Sequence, residues 1–376
     1  MSTCRGCGSP DVERVVDLGP MPAADCFPAV DTPVTADETA HPLAMNLCRD
    51  CGLAQLAEDD SVPDEPRGVE PQALRDQAAA AVRAAASEGL LVGRTVAEFG
   101  SPHGGTWLPL LTEHGFRVAA AGAAASVVLD SFGIMHAPDQ RAAFRERASA
   151  VAPGGVLLLQ FHSLATIVSG GQWTALRHGH YAYYSLTALR ALLAEVGLYV
   201  VYAREFELYG GTVLVAARRT PRAVPAAETR NILEKETAIG VTDVSSVRRL
   251  QRAADTQSRA LRAWLESSAR RRRRIFAYGA ASRAVALFAR AGLDRRLVTA
   301  VADASPAKQG RRMPGTDVPI VAPEEMMMAE PDRVLLTLPD LLPEVRERYR
   351  ELEGRWVPLD GYAQVFQQGG FINARA

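Results

Sequence analysis

Four of the five cysteines in this 376-residue chain fall in two short knuckles, Cys4-Arg-Gly-Cys7 and Cys48-Arg-Asp-Cys51, each followed by a glycine. Thiolates so spaced suit a tetrahedral zinc ion with four protein ligands and no position left for substrate, so Cys4, Cys7, Cys48 and Cys51 are expected to hold a structural metal. Glycine after each knuckle lets backbone amides turn toward the sulfurs. The stretch between the knuckles is longer than in short zinc ribbons, so further strands must fill it. Disulfides are the competing reading, and nothing else in the chain suggests export. Cys26 stands apart and is expected to be a packed thiol. The expectation is a zinc-binding domain over residues 1–60.

The chain beyond residue 60 is long enough for one or two further domains. The net charge of -1 gives no reason to expect a nucleic-acid or acidic-membrane partner. No apolar run approaches the ~20 residues of a membrane span, and the N-terminus lacks a charged-then-apolar signal segment. A cytoplasmic protein acting on a small molecule, as a monomer or homodimer, is expected.

Residues 58–72 are acidic and proline-containing and read as a linker. Gln72 to Glu88 is alanine-rich and helical. A short apolar strand then runs into Gly100-Ser-Pro-His-Gly-Gly105 and a helix from Trp107 to His114. Strand, glycine turn and helix open a Rossmann-like sheet, whose ligands sit at strand carboxyl ends. Strands are expected at 116–122, 126–130, 156–161, 197–202 and 210–217. A helical stretch from Glu228 to Ala269 ends in five arginines, Arg270 to Arg274. Cations there complement the helix dipole, and phosphate binding is the sharper alternative. Ile275-Phe-Ala-Tyr278-Gly-Ala-Ala-Ser282 repeats the strand-glycine-helix opening, and a tail from Gln367 is expected to fray. The domains expected after the linker are therefore a shortened Rossmann-like one over 70–220 and a helical linker plus a second Rossmann-like one over 228–376, α/β throughout.

One stretch concentrates chemistry. Trp173-Thr-Ala-Leu-Arg177-His178-Gly-His180-Tyr181-Ala-Tyr183-Tyr184-Ser-Leu186 packs two histidines, three tyrosines, an arginine and a tryptophan between a glycine pair and an amphipathic helix. Groups that transfer protons or stack on ligands, at a loop-to-helix junction, mark a candidate reaction site. The plainer alternative is an aromatic turn lining a core, its histidines merely hydrogen-bonded.

Three blocks together resemble the deoxysugar C-methyltransferases of antibiotic pathways and secondary metabolism. They are the N-terminal run with both knuckles, then His178-Gly-His-Tyr-Ala-Tyr-Tyr-Ser with Tyr209-Gly-Gly-Thr, then Tyr278-Gly-Ala with Asp303-Ala-Ser-Pro306-Ala-Lys308 and Pro314-Gly-Thr. The resemblance implies a zinc-binding domain, a central S-adenosylmethionine (SAM) domain and a C-terminal Rossmann-like domain that closes over a substrate nucleotide. It implies removal of a proton beside a sugar carbonyl, followed by attack of the enolate on the methyl of SAM. His180 corresponds to the family's histidine base region and His136, in Met-His136-Ala-Pro-Asp139, to its second histidine.

The chain also departs from that pattern. Gly100-Ser-Pro-His-Gly104-Gly stands for the family's Gly-Ser-Asn-Asp-Gly, with a residue inserted and no carboxylate. The second strand ends Ala119-Ala-Ala-Gly122 without the acid that would hold ribose hydroxyls. Only the eight residues Ala119 to Ser126 are available for an excursion that takes about 30. Arg177-His178-Gly179-His180 stands for Tyr-His-Glu-His, and no tyrosine lies between Pro63 and Gly89. These losses lead to the expectation of proton chemistry without SAM: epimerisation, elimination or decarboxylation, with Gly100 and Gly104 as remnants of the cofactor turn. His180 is the expected base or acid, His136 its partner, His178 a further candidate and Arg177 an oxyanion or phosphate clamp. Tyr181, Tyr183, Tyr184 and Trp173 are expected to wall the site, with Tyr278 and Lys308 on the nucleotide side. Lys308 has an alternative role in bracing a turn with Asp303. The alternatives to SAM-free chemistry are a working SAM-dependent sugar C-methyltransferase and a non-catalytic partner of an intact enzyme.

Overall fold

The computed structural model describes residues 3–61, 70–102, 104–220 and 226–359. The middle of the expected linker, His103, the expected boundary at 221–225 and the expected frayed tail lie outside them. Three sheets, all mixed with helices, make an α/β molecule.

The first sheet starts with β1 (Val12–Met21), β2 (His41–Cys48) and β3 (Ala54–Leu56), which pair antiparallel in that order. These strands fill the gap between the knuckles, as the spacing requires. Their alternating and continuous apolar residues (Val16, Leu43, Met45, Leu47, Leu56) are buried.

The central sheet follows with β4 (Thr95–Phe99), β5 (Arg117–Val118), β6 (Ala125–Ser131) and β7 (Val151–His162), joined in parallel in the order β5-β4-β6-β7. The strand expected over 116–122 shrinks to two residues, both exposed, at the edge of the sheet. Residues 119–124 then cross directly to β6 without a helix or strand. The chain next forms β8 (Ala182–Tyr183), and this leaves the central sheet altogether. It pairs antiparallel with β3, Ala54 opposite Tyr183, and becomes the fourth strand of the zinc-end sheet. β9 (Tyr199–Phe206) and β10 (Thr212–Arg218) return to the central sheet, where β10 lies antiparallel between β7 and β9.

The stretch expected to be helical from 228 to 269 is built of three helices, Ala227–Ile239, Val244–Val247 and Arg249–Arg270. Gly240, at φ +69, ends the first of these in a left-handed cap. The last sheet is all parallel: β11 (Ile275–Tyr278), β12 (Val301–Ala302), β13 (Ile320–Val321), β14 (Arg333–Leu336) and β15 (Trp356–Pro358), ordered β13-β12-β11-β14-β15.

The zinc-end sheet and the C-terminal domain share a core. Val16, Leu47, Trp173, Leu261 and Phe288 belong to one continuous buried cluster. Arg312, buried to 1%, places both its terminal nitrogens 2.7 Å from the Glu38 carboxylate across the same boundary. Breaking such a buried pair from one side costs about 3–5 kcal/mol.

Candidate functional site

The mixed central sheet and the parallel C-terminal sheet both reverse strand order at their first strand, β4 between β5 and β6 and β11 between β12 and β14. Ligands bind outside the carboxyl ends of strands at such switch points. Here the two switch points face one another across a cavity of about 360 Å³. The central sheet contributes Phe99 to Pro102, Gly104 to Trp107 and Phe132; the C-terminal sheet contributes Tyr278 to Arg283 and Leu338. The central segment closes a third side with Arg177, His180 and Tyr183.

On the central side, Glu98 at the end of β4 accepts from the Trp107 amide at 2.7 Å and from the Thr106 hydroxyl, which folds the glycine turn back on its strand. Gly104 and Gly105 take φ of +84 and +82 within it, where a side chain would be strained. Gly133 lets the two loops touch: a Cβ there would lie 2.9 Å from the Gly100 carbonyl oxygen. Asp130, buried at the end of β6, accepts from the Gly133 and Ile134 amides and from Arg147. Those bonds aim the turn that carries His136.

His136 and His180 meet edge to face, with ring centroids 4.4 Å apart. His136 Nδ1 lies 2.9 Å from the Gly179 carbonyl oxygen. Arg177 donates its Nε–H to His180 Nε2 at 2.8 Å, and the Tyr183 hydroxyl accepts from the Arg177 amide at 3.1 Å. Burial pushes the Tyr183 phenol well above its ordinary range, so it stays protonated.

The C-terminal turn is braced on every side. Asp303 accepts from the Ala280 amide at 2.7 Å, Lys308 donates to the Ala280 carbonyl at 2.9 Å, and Thr337 donates to the carbonyls of Tyr278 and Gly279. Lys308 thus braces the turn with Asp303 while lining the cavity. Tyr278 lines it too, its hydroxyl 3.4 Å from that of Tyr349.

Four expected site residues lie elsewhere, and each is corrected for a physical reason. Gly179, at φ +76, turns the chain between the two histidines, so His178 departs from His180 and bonds the Pro42 carbonyl at 3.2 Å, edge-on to His41. Trp173 is 1% exposed and donates to Gln257 at 2.8 Å on the long helix. Tyr184 packs edge-on between Phe144 and Phe161 and donates to Gln140. Tyr181 faces the zinc end, under the Arg5 guanidinium. Gly100, Gly104, His136, His180, Arg177, Tyr183, Tyr278 and Lys308 do come together on the cavity.

Several lining residues escaped the sequence reading. His162 ends β7 with Nε2 3.0 Å from Gln172; burial, then the charges of Arg283 and Arg177, push it down to about 3. Gln160, two residues earlier, pairs through both amide atoms with Gln77 of the helix Gln72–Ser87. Tyr209 takes φ +58, unusual for tyrosine, with Phe132 at 5.7 Å and the Arg283 guanidinium 5.4 Å over its ring. The available signal was position: polar residues at the carboxyl end of an otherwise apolar strand have a reason to be there.

At the zinc end the four Sγ atoms lie within 4.8 Å of one another, with contacts of 3.5 and 3.6 Å. Tetrahedral zinc with bonds of about 2.3 Å sets sulfurs about 3.8 Å apart, so the cluster fits that ion. The Cys51 thiol hydrogen-bonds Cys4 and draws it down to about 5, while burial raises Cys7 to about 11. A dication removes this competition among close sulfurs. Amides of Gly6 and Cys7, inside the first knuckle, reach the Cys4 sulfur.

Three family models tile the chain: "Putative zinc binding domain" over residues 4–63, "Methyltransferase domain" over 72–203 and "C-methyltransferase C-terminal domain" over 207–359. C-methyltransferase NovU of Streptomyces niveus is 25% identical over 93% of this chain and 92% of its own length. Among solved structures, the N-methyltransferase NodS of Bradyrhizobium japonicum, in complex with S-adenosyl-L-homocysteine, aligns at TM-score 0.30 and 14% identity, over 40% of this chain and 88% of its own. A methyltransferase of Thermotoga maritima aligns at TM-score 0.30 and 14% identity, over 39% and 91%.

Proposed function

We propose that this chain, which belongs to the C-methyltransferases that join a zinc-binding domain, a methyltransferase domain and a C-terminal C-methyltransferase domain, transfers a methyl group from SAM to the carbon beside a carbonyl in a sugar-like small molecule. The observation that carries this reading is that the glycine turn after β4 and the His136–His180 pair open on the same cavity. A cofactor turn and a proton-transfer pair have a common purpose only if deprotonation and alkylation occur on one substrate carbon.

This reading replaces the expectation of chemistry without SAM. That expectation rested on the altered glycine turn, the missing second-strand acid, the changed histidine segment and the short crossing at 119–124, where the chain forms no helix or strand. The methionine side keeps its parts. Glycines without side chains and the pinned Glu98 leave backbone free to approach a ligand. SAM would lie along Gly100 to Pro102 and Gly104 to Thr106, and it supplies an electrophilic methyl on a sulfonium sulfur. The missing second-strand acid has a stand-in: Glu70 precedes the helix Gln72–Ser87 and lines the cavity, and a Cβ on Gly105 would lie 2.7 Å from its Oε1. Its carboxylate would receive the ribose hydroxyls. The chain's own groups do the remaining work. One histidine of the pair takes the proton, Arg177 places positive charge beside the developing enolate oxygen, and the braced C-terminal turn offers backbone and Tyr278 to the far end of the substrate.

Titration calorimetry of the zinc-loaded protein with SAM tests this. Saturable heat that weakens about tenfold in Glu70→Gln is expected; heat no greater than dilution sinks the reading and returns proton chemistry without a methyl donor to the front.

A further inference from the structure

His136 and His180 both carry the ring proton on Nδ1, but their Nε2 atoms face different surroundings, and this divides their roles. Arg177 is a guanidinium, which donates and never accepts. Its Nε–H points at His180 Nε2 across 2.8 Å, so the His180 lone pair lies on Nε2 and the ring proton on Nδ1. A carbonyl oxygen accepts and never donates. His136 Nδ1 sits 2.9 Å from the Gly179 oxygen, so its proton is on Nδ1 and its lone pair on Nε2, a buried atom. The Gly179 oxygen is held for this purpose. Its residue takes φ +76 and its own amide donates to Asp59 at 2.7 Å, while the His180 amide, in the same peptide plane as that oxygen, donates to the Arg177 carbonyl at 3.4 Å.

We infer that Arg177 is a positioning residue that withdraws His180 from service as a base and leaves His136 Nε2 to remove the substrate proton. This deepens the methyl-transfer reading and rests on it for the substrate. A base at Nε2 of His180 would have to accept a proton where a permanent cation already sits, which Coulomb repulsion opposes. At His136 the same event is assisted, because the imidazolium formed keeps its Nδ1–H on the Gly179 carbonyl. In the step, the carbon–hydrogen bond beside the carbonyl breaks and the proton passes to His136 Nε2. The electron pair moves onto the carbonyl oxygen to give the enolate. That oxygen gains its stabilisation from the Arg177 charge and from His180, whose Nδ1–H is a donor. The enolate carbon then forms its bond to the methyl of the sulfonium co-substrate, whose carbon–sulfur pair stays on sulfur. The edge-to-face contact at 4.4 Å keeps both rings on one substrate carbon–oxygen unit.

The test reads the ring protons directly, in the full zinc-loaded chain without cofactor or substrate. Histidine is labelled with nitrogen-15 and long-range proton–nitrogen correlations are recorded where the rings are neutral. His136→Asn and His180→Asn assign the two spin systems. Wild type should show the Nδ1–H form for both. Arg177→Met should shift His180 toward the Nε2–H form that free histidine favours while His136 is unchanged, and Arg177→Lys should restore the wild-type pattern. An Nε2–H form at either ring in the wild type overturns the inference, and so does a His180 unmoved in a folded Arg177→Met protein. If that variant fails to fold, the wild-type spectrum still decides. A protein that gives these tautomers yet binds no SAM would sink the methyl-transfer reading and leave the tautomer assignment standing.

Discussion

The two glycine turns that face the cavity are built on the same plan and held to different degrees. After β11, Ala280 is gripped through its amide by Asp303 and through its carbonyl by Lys308, while Thr337 holds the two carbonyls before it. After β4, the turn hangs on Glu98, and the strand beside it runs out into exposed residues 120–124. A braced turn presents a fixed surface and can select one ligand shape with little ordering cost; an open one must be ordered by what binds. The difference teaches that the shortened central sheet leaves its turn to depend on its neighbours, while the C-terminal turn is fixed by its own domain.

Zinc is the largest lever on that comparison. Cys48→Ser, or chelation, should unfold the first sheet, since structural zinc contributes on the order of 10 kcal/mol to such sites. Because β8 belongs to that sheet, hydrogen exchange should rise at Tyr183 and His180 as well, while both turns keep their protection. Uniform loss of protection across all three sheets would show that the turns are not independent of the metal. Acid comes next. His162 lies between the turns and stays neutral when folded, down to about 3, but charges near its ordinary value once unfolded. The unfolded state therefore binds the extra proton, so stability is complete above about pH 6.5 and erodes as pH falls toward 3. His162→Gln should flatten this part of the melting-temperature profile; an unchanged slope would assign the acid sensitivity elsewhere. Asp303→Ala should cost about 1–3 kcal/mol in urea titrations, the usual toll for stranding a buried donor, and Glu98→Gln less than that. Equal costs would erase the contrast between the turns. The smallest effect is a gain. Ala120→Asp places a carboxylate beyond β5 on an exposed residue, and SAM affinity by calorimetry should rise by a few-fold at most. A loss would mean that adenosine does not lie on that side.

The knuckles were legible because zinc imposes local spacing, and the glycine turns because a strand must reverse into a helix within a few residues. The absence of a strand between β5 and β6 was also legible, by chain length alone. β8 was not. Ala182-Tyr183 has no pattern of its own and becomes a strand only because the β3 edge is there to receive it. The same limit hid the divergence of His178 from His180, since Gly179 permits a left-handed turn but only the bond to Asp59 selects it. Tyr184 and Trp173 looked like site residues on composition. Their burial depends on Phe144, Phe161 and Gln257, which a local reading cannot bring to them. Gln160 and His162 were readable in principle, as polar residues closing an apolar strand.

The Gly179 amide and the Asp59 carboxylate that fixes it are 120 residues apart in the chain. Closing so long a loop comes late in any folding sequence, after local helices and hairpins have formed. The proposed reactive centre is thus among the final parts to take shape, and a half-folded intermediate, whatever helices it already has, carries no aligned imidazoles.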